Sequence, residues 1–127
     1  MSDAIYMRQT QYLGKSPIEA YGQGGFRFSA TSHKGGLLCL PSGFYALESD
    51  IDSIILNGVD LIIKHSDEIE VLLIGTGVEL EPINQEIINN IKKYKISIDI
   101  MNTGACVRTY NILLSEDRAV AALLYPV

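Results

Sequence analysis

Hydrophobic residues recur along the chain with two spacings, which predict strands alternating with helices. Val71-Leu72-Leu73-Ile74 is a continuous apolar run of strand length that ends at Gly75. A run without polar residues is typical of a strand that is buried on both faces of a sheet. Gly75-Thr76-Gly77 then predicts a turn, and Pro82 predicts the first turn of a following helix. The pattern therefore indicates a strand, a glycine loop and a helix at the centre of the fold.

The residues after this loop continue the alternation. Apolar side chains at helical spacing predict a helix over residues 83–94, and strict alternation over residues 96–101 predicts a strand. A strand–helix–strand unit with so short a crossover should be parallel and right-handed. Thr103 is expected to cap a second helix from Gly104 to about Ser115, and residues 119–124 predict a last buried strand. The core face of that second helix is predicted to carry Cys106, Val107, Tyr110, Leu113 and Leu114.

The amino-terminal half is patterned as short strands. Alternation over residues 26–29 predicts a strand that buries Phe26 and Phe28 and exposes Arg27. His33-Lys34-Gly35-Gly36 predicts a hairpin turn, with residues 37–40 as the return strand and residues 44–47 as a further strand. Residues 21–47 are therefore expected to form an antiparallel β layer. A short strand at residues 5–7 and a turn at residues 14–17 are also predicted.

The segment from Asp50 to His65 carries weaker signals. Asn57-Gly58 interrupts its apolar residues and separates them into two groups. The pattern predicts a short strand or turn near Ile54, followed by a short helix that ends near His65. The whole chain is accordingly expected to be one α/β domain, residues 1–127.

Composition narrows the possible functions. With a net charge of −5 and no basic cluster, the chain is expected to bind neither nucleic acid nor an anionic membrane. No apolar run approaches the roughly 20 residues of a membrane span, and the first residues resemble no signal peptide, so a cytoplasmic location is expected. Two cysteines predict no disulfide framework, and the two histidines have no ligand-like partners, so neither a metal nor a cofactor is expected. A homodimer is left open.

The glycine loop is the first candidate site. Ligands of open α/β sheets bind beyond the carboxyl ends of the strands, where backbone N–H groups before a helix can hold an anion. The acidic residues Glu79 and Glu81 follow the loop and would repel a phosphate, which favours a structural turn. Arg27, Arg108 and Asn111 are candidates to converge on the loop and to bind an acidic ligand there. The alternative is an arginine–carboxylate network of structural importance, with Asn111 bonded to backbone, and this alternative is favoured.

Cys106 is the second candidate. Its predicted place in the first turn of a helix would lower its pKa and favour a reactive thiol. It also lies on the apolar arc of that helix, where cysteine behaves as a small hydrophobic residue, and no histidine is near it in sequence. The interpretation of Cys106 as a small hydrophobic core residue is favoured. No catalytic residues can be assigned from the sequence, so whether the protein is an enzyme is left open, with a non-enzymatic role preferred.

Four separated pieces of the chain resemble one known protein family. They are Gly25-Phe26-Arg27-Phe28-Ser29, Leu73-Ile74-Gly75-Thr76-Gly77, Met101-Asn102-Thr103, and Arg108-Thr109-Tyr110-Asn111 with the Glu116-Asp117-Arg118 that follows. Together they resemble the small single-domain family that includes the mitochondrial NADH:ubiquinone oxidoreductase (complex I) assembly factor 3 and bacterial proteins of unknown function. The resemblance extends from about residue 22 to residue 126. The chain departs from the family at Leu47, where members often carry tryptophan.

This resemblance implies a fold and a function. The fold would have three layers, with a central mixed sheet, helices on one side and a small antiparallel β layer on the other. The function would be that of a non-enzymatic binding module with protein partners, aiding the biogenesis of a respiratory or membrane complex and associating with it peripherally. The binding candidates are Arg27, Gly75, Thr76, Gly77, Thr103, Arg108 and Asn111. A protein or enzyme that binds a small anion or nucleotide through Gly75-Thr76-Gly77 is the alternative.

Overall fold

The secondary structure follows the predicted alternation over most of the chain. A computed structural model describes residues 11–13, as backbone only, and residues 15–127. The predicted strand at residues 5–7 and Gly14 of the predicted turn lie outside the described residues. The helices are α1 (Ile51–Lys64), α2 (Gln85–Lys92) and α3 (Thr103–Ser115), with a 3₁₀ turn at Ser66–Glu68. The strands are β1 (Gln11–Leu13), β2 (Ile18–Gly22), β3 (Gly25–Phe28), β4 (Thr31–Lys34), β5 (Leu37–Leu40), β6 (Gly43–Ala46), β7 (Val71–Gly75), β8 (Ser97–Met101) and β9 (Val120–Leu124).

A six-stranded mixed sheet forms the middle of the molecule. Its strand order is β1-β6-β5-β9-β7-β8, and β7 runs parallel to both β8 and β9. All five residues of β9 are buried, and β7 is buried from its second residue onward. The prediction of a central buried strand at residues 71–74, followed by a parallel β7-α2-β8 unit, is confirmed.

The two faces of this sheet are covered differently. Leu72, Ile74 and Leu123 point to the face on which α1 and α2 pack. The opposite face packs against a three-stranded antiparallel sheet, β2-β3-β4, and against α3, through residues such as Phe28 and Tyr110. The predicted three-layer α/β class with a central mixed sheet and a small β layer is thus confirmed. The third helix shares its layer with the small sheet.

The predicted hairpin at His33-Lys34-Gly35-Gly36 is wrong. The strand that pairs with β3 is β4, after a tight turn at Ser29 and Ala30, both of which have positive φ. Residues 37–40 leave the small sheet and form β5, which pairs with β6 and β9 in the large one. All four side chains of β5 are buried because both faces of this strand are covered. The antiparallel β layer expected over residues 21–47 is therefore divided between two sheets.

The segment from Asp50 to His65 is one continuous helix, so the predicted strand or turn near Ile54 is wrong. The Asp50 side chain accepts a hydrogen bond from the Ser53 N–H at 3.0 Å and caps α1. Gly58, which suggested a break, lies inside the helix where α1 touches the sheet most closely. A Cβ at this position would lie 2.5 Å from Cδ1 of Leu123, so glycine permits close packing here.

The helix starts differ slightly from those predicted. Asn84 caps α2, which begins at Gln85, three residues after the Pro82 at which the helix was expected to open. Asn102 caps α3 by accepting a hydrogen bond from the Ala105 N–H at 2.8 Å, so Thr103 is the first helical residue and not the cap. This shift of one residue frees the Thr103 hydroxyl for other contacts.

Candidate functional site

The glycine loop, Gly75-Thr76-Gly77, uses its backbone donors within the protein. The Thr76 N–H donates to the Met101 carbonyl at 2.9 Å, and the Gly77 N–H donates to the Thr103 hydroxyl at 2.8 Å. The Thr103 N–H returns a 2.8 Å bond to the Gly77 carbonyl. Donors that are engaged in this way are not available to cradle an anion, so the loop has the geometry of a structural turn.

The Thr103 hydroxyl connects three segments of the fold. It accepts the bond from the Gly77 N–H and donates to the Tyr125 carbonyl at 2.8 Å, and the side chain is fully buried. The Tyr125 N–H in turn donates to the Gly75 carbonyl at 2.8 Å. The end of β7, the start of α3 and the end of β9 are thereby fixed to one another.

The Thr76 hydroxyl shapes the segment that follows the glycine loop. It donates to the Glu79 carbonyl at 2.7 Å and accepts from the Glu81 N–H at 2.9 Å. These two bonds fold residues 76–81 into a compact turn. The turn leaves Val78 and Leu80 exposed by 73% and 64%.

Cys106 lies inside the core, beneath the glycine loop. Its side chain is fully buried, and a Cβ placed on Gly75 would lie 3.0 Å from the Cys106 Cβ. Burial raises the pKa of Cys106 to about 12, and the nearby Asp99 carboxylate adds to the shift. This environment favours the neutral thiol, which is the weak nucleophile, so the geometry supports the interpretation of Cys106 as a packing residue.

Arg27 and Asn111 make contacts that do not involve the glycine loop. Arg27 lies on the exposed face of β3, with its Nε 3.4 Å from Oε1 of Glu19. The Asn111 side chain accepts from the Ile18 N–H and donates to the Ile18 carbonyl, both at 2.9 Å. Asn111 thus fastens β2 to α3, as in the structural alternative considered from the sequence.

Arg108 lies nearer to the loop. A Cβ on Gly104, the residue after Thr103, would lie 2.8 Å from the Tyr21 hydroxyl and 3.6 Å from Nη1 of Arg108. Tyr21 and Arg108 therefore both cover the first turn of α3. Of the predicted residues, the structure brings Gly75, Thr76, Gly77 and Thr103 into direct contact and places Arg108 beside Gly104, the residue that follows Thr103.

An apolar groove lies on the face covered by α1 and α2. It has a volume of about 510 Å³, and Tyr125 is among the residues that line it. One wall carries the apolar residues Ile51, Ile55, Leu56 and Val59 of α1. The other wall includes Ile83, from the segment before α2, and Ile87 of α2. A second depression of about 490 Å³ shares Val59 and Ile87 with it, so the two lie next to each other. We call the combined feature the α1–α2 groove.

The glycine loop and the α1–α2 groove are connected through hydrogen bonds and through the chain itself. Tyr125, which lines the groove, is held by Gly75 and Thr103 through its backbone. The turn shaped by Thr76 leads directly into Pro82 and Ile83 of the groove wall. The hydrogen bonds of the loop thus fix the backbone of residues that line the groove or lead into its wall.

Sequence reasoning missed this groove and the part played by Tyr125. The side chain of Leu56 is 71% exposed, but its place on a helix face could be found only after α1 was recognised as continuous. Tyr125 contributes backbone atoms to the hydrogen-bond network, and these carry no signal in a residue pattern.

Known proteins share both the sequence and the fold of this chain. Residues 18–125 match the model of a family described as proteins of unknown function, DUF498/DUF598. A crystal structure of an outer membrane protein from Bartonella henselae superposes with a TM-score of 0.82 and 48% identity, covering 91% of this chain and 98% of that one.

Two further relatives come from other organisms. An uncharacterized protein of Rhodobacter capsulatus is 29% identical over 119 residues, covering 94% of this chain and 91% of its own length. The NADH dehydrogenase [ubiquinone] 1 alpha subcomplex assembly factor 3 of Danio rerio is 28% identical over 126 residues, covering 97% of this chain and 71% of the relative. The family resemblance identified from the sequence is confirmed. Within the described part of the chain, each helix is too short or too polar to cross a bilayer.

Proposed function

We propose that this chain, which belongs to the DUF498/DUF598 family, is a non-enzymatic binding module that aids the assembly of a respiratory or membrane complex. The observation that carries the proposal is the contrast between the glycine loop and the groove beside it. The backbone donors of the loop are bonded inward to Met101 and Thr103, whereas large apolar side chains around the groove face solvent. Such a surface suits a protein partner better than a phosphate.

The relatives also support a role in the assembly of a membrane or respiratory complex. The Danio rerio relative is an assembly factor of NADH dehydrogenase, and the Bartonella henselae relative is an outer membrane protein. Both names associate the family with membranes or with a respiratory enzyme. From the sequence, and not from these relatives, we infer a cytoplasmic location with peripheral contact to such a complex.

The exposed apolar residues are the second support. Large contiguous patches of exposed hydrophobic side chains are rare on monomeric proteins. Where they occur, they often mark interaction surfaces. Ile51 and Leu56 belong to the α1–α2 groove, and Val78 and Leu80 lie on the turn that leads into its wall. The fold thus exposes apolar side chains in the groove and on the turn that leads into its wall, as a binding module requires.

Deletion of the gene in the native organism tests the proposal. Native gel electrophoresis of membranes should show less assembled complex, with complex I examined first, and an accumulation of partly assembled forms. A plasmid copy of the wild-type gene should restore the pattern. An unchanged set of membrane complexes in the deletion strain would refute the assembly role.

The small-anion alternative is tested separately. A thermal-shift screen with phosphate, nucleotide and carboxylate ligands should leave the melting temperature unchanged, because the N–H groups of Thr76 and Gly77 already have acceptors. A ligand that raises the melting temperature of the wild type, and not that of an Arg108→Ala variant, would favour the alternative.

A further inference from the structure

The α1–α2 groove has the length of a helix face. Ile51 and Val59 lie eight residues apart on α1, which corresponds to about 12 Å along the helix axis. Apolar residues at positions i and i+7 of a bound helix are about 10.5 Å apart. A short amphipathic helix can therefore set its apolar side chains along the apolar part of the groove between Ile51 and Val59.

The charges around the groove are of one sign at one end. Asp52 lines the end formed by the start of α1 and the segment before α2, and further carboxylates directly precede or closely precede its lining residues Ile51 and Pro82 in the chain, namely Asp50, Glu79 and Glu81. All four acidic residues are exposed, and none takes part in the ion pairs found between described residues. Glu86 and Lys93, which carry opposite charges, line the other end. A partner that places basic side chains beside this acidic end would gain attraction.

We propose that the α1–α2 groove binds an amphipathic helix of a partner protein, with an apolar face that fills the groove and Lys or Arg residues that meet its acidic end. This inference rests on the proposed function, because it specifies the partner of the same binding module. The apolar face of the partner contacts Ile51, Leu56 and Ile83. Its basic residues lie against the carboxylates of Asp52 and Glu81.

The same charges disfavour two other occupants. In a symmetric dimer whose two-fold axis runs along the groove, the acidic ends would be brought together and repel. An anionic membrane surface would be repelled for the same reason. The acidic end thus selects a cationic protein segment.

The test uses the full chain and a synthetic peptide. The probe is a fluorescein-labelled Leu/Lys peptide of about 18 residues, designed as an amphipathic helix of five turns. A scrambled peptide of the same composition lacks an apolar face and serves as the peptide control. Fluorescence anisotropy should give a dissociation constant about tenfold lower for the amphipathic peptide. Equal binding of the two peptides would overturn the proposal.

Substitutions locate the binding site. Leu56→Ser should weaken binding of the amphipathic peptide by about fivefold to tenfold, since it removes an apolar contact. The matched control is Ile112→Ser on α3, because Ile112 is also a largely exposed apolar residue but belongs to the opposite layer. The control should bind as the wild type does. Equal effects of the two substitutions would contradict the assignment to the groove.

Charge substitutions test the second half of the proposal. The double variant Asp52→Asn with Glu81→Gln should weaken binding and make it less sensitive to salt. Asp67→Asn, in the exposed 3₁₀ turn after α1, is the matched charge control and should leave binding unchanged. An unaltered salt dependence in the double variant would show that the acidic end takes no part.

Other occupants give different results. Light scattering that shows a dimer dissociated by Leu56→Ser would assign the groove to a second copy and overturn the proposal. Cosedimentation with phosphatidylglycerol vesicles that is lost in the same variant would assign it to a membrane.

Complementation separates this inference from the proposed function. If the Leu56→Ser gene restores the membrane complexes of the deletion strain fully, the assembly role stands and the groove assignment fails. If deletion changes no complex while the amphipathic peptide binds as expected, the groove assignment stands and the assembly role fails.

Discussion

Thr103 and Tyr125, 22 residues apart in sequence, are joined by a buried hydrogen bond of 2.8 Å from the Thr103 hydroxyl to the Tyr125 carbonyl. The same hydroxyl accepts a bond from the Gly77 N–H. One small side chain therefore satisfies two backbone groups from two different segments. Because Tyr125 also lines the α1–α2 groove, the position of that surface depends on this hydroxyl.

Thr103→Val tests the importance of this bond. Valine has nearly the same shape but leaves the Gly77 N–H and the Tyr125 carbonyl without their partner. We expect the free energy of unfolding, measured with urea, to fall by about 1–3 kcal/mol. Thr103→Ser keeps the hydroxyl, so its free energy of unfolding should fall clearly less than that of Thr103→Val. Equal stability of the Val and Ser variants would show that the hydroxyl contributes nothing.

Asn111→Ala should loosen the small sheet. Both backbone groups of Ile18 lose their partner in this variant, and we expect a loss of stability of about 1–3 kcal/mol. Hydrogen exchange should become faster in β2. Asn111→Asp retains an acceptor for the Ile18 N–H but no donor for the carbonyl, so its exchange should be intermediate. If β2 keeps its protection in the Ala variant, the side chain is not what holds the strand.

Two glycines in helices should respond oppositely to alanine. At Gly58 the new Cβ meets the fully buried Leu123 at 2.5 Å, so Gly58→Ala should destabilise the fold by about 1–3 kcal/mol. At Gly104 the nearest atom is the hydroxyl of Tyr21, at the end of a side chain that is 42% exposed and can move. Gly104→Ala should therefore be neutral or stabilise by up to about 1 kcal/mol through better helix propensity. Urea unfolding of the two variants measures the difference, and equal losses would contradict it.

Cys106 should react with thiol reagents only when the protein unfolds. Its burial and its pKa of about 12 keep the thiol neutral and shielded at pH 8. Labelling with Ellman's reagent should be slow for the native chain and rapid in denaturant. Rapid reaction of the native wild type that is absent in Cys106→Ala would revive the interpretation of this residue as a reactive thiol.

The same pKa makes stability dependent on alkaline pH. An unfolded thiol has a pKa of about 8.5, so between there and about 12 the unfolded chain has released a proton that the folded chain retains. Stability is therefore fully present below about pH 8.5 and falls as pH rises, by at most about 1.4 kcal/mol per pH unit for one group. Cys106→Ala should reduce this slope, while Cys39, whose pKa burial also raises, maintains part of it. An unchanged slope would contradict the assignment.

Local patterns predicted those parts of the fold whose neighbours are close in sequence. The apolar run of β7, the helical spacing of α2 and the alternation of β8 each occupy a few consecutive residues, and all three were predicted correctly. The strand β5 was assigned to the wrong sheet because its partner β9 lies more than 80 residues away. Alternation within a segment gives the faces of a strand but not its neighbours.

The errors at α1 and at the site share a physical cause. Gly58 weakens a helix locally, yet the packing of α1 against Leu123 requires a residue without a side chain there. Similarly, the glycine loop was recognised as a turn, but the bonds that occupy it come from Thr103 and from the backbone of residues such as Met101. Tertiary contacts of this kind cannot be deduced from residue order.

The central place of β9 has a consequence for biosynthesis. This strand separates β5 from β7, and it is translated after every other strand of its sheet. Until residues 120–124 leave the ribosome, the nascent polypeptide holds two incomplete half-sheets whose inner edges both lack a neighbour. Insertion of β9 closes both edges together, so productive folding must wait for nearly all of these 127 residues to emerge.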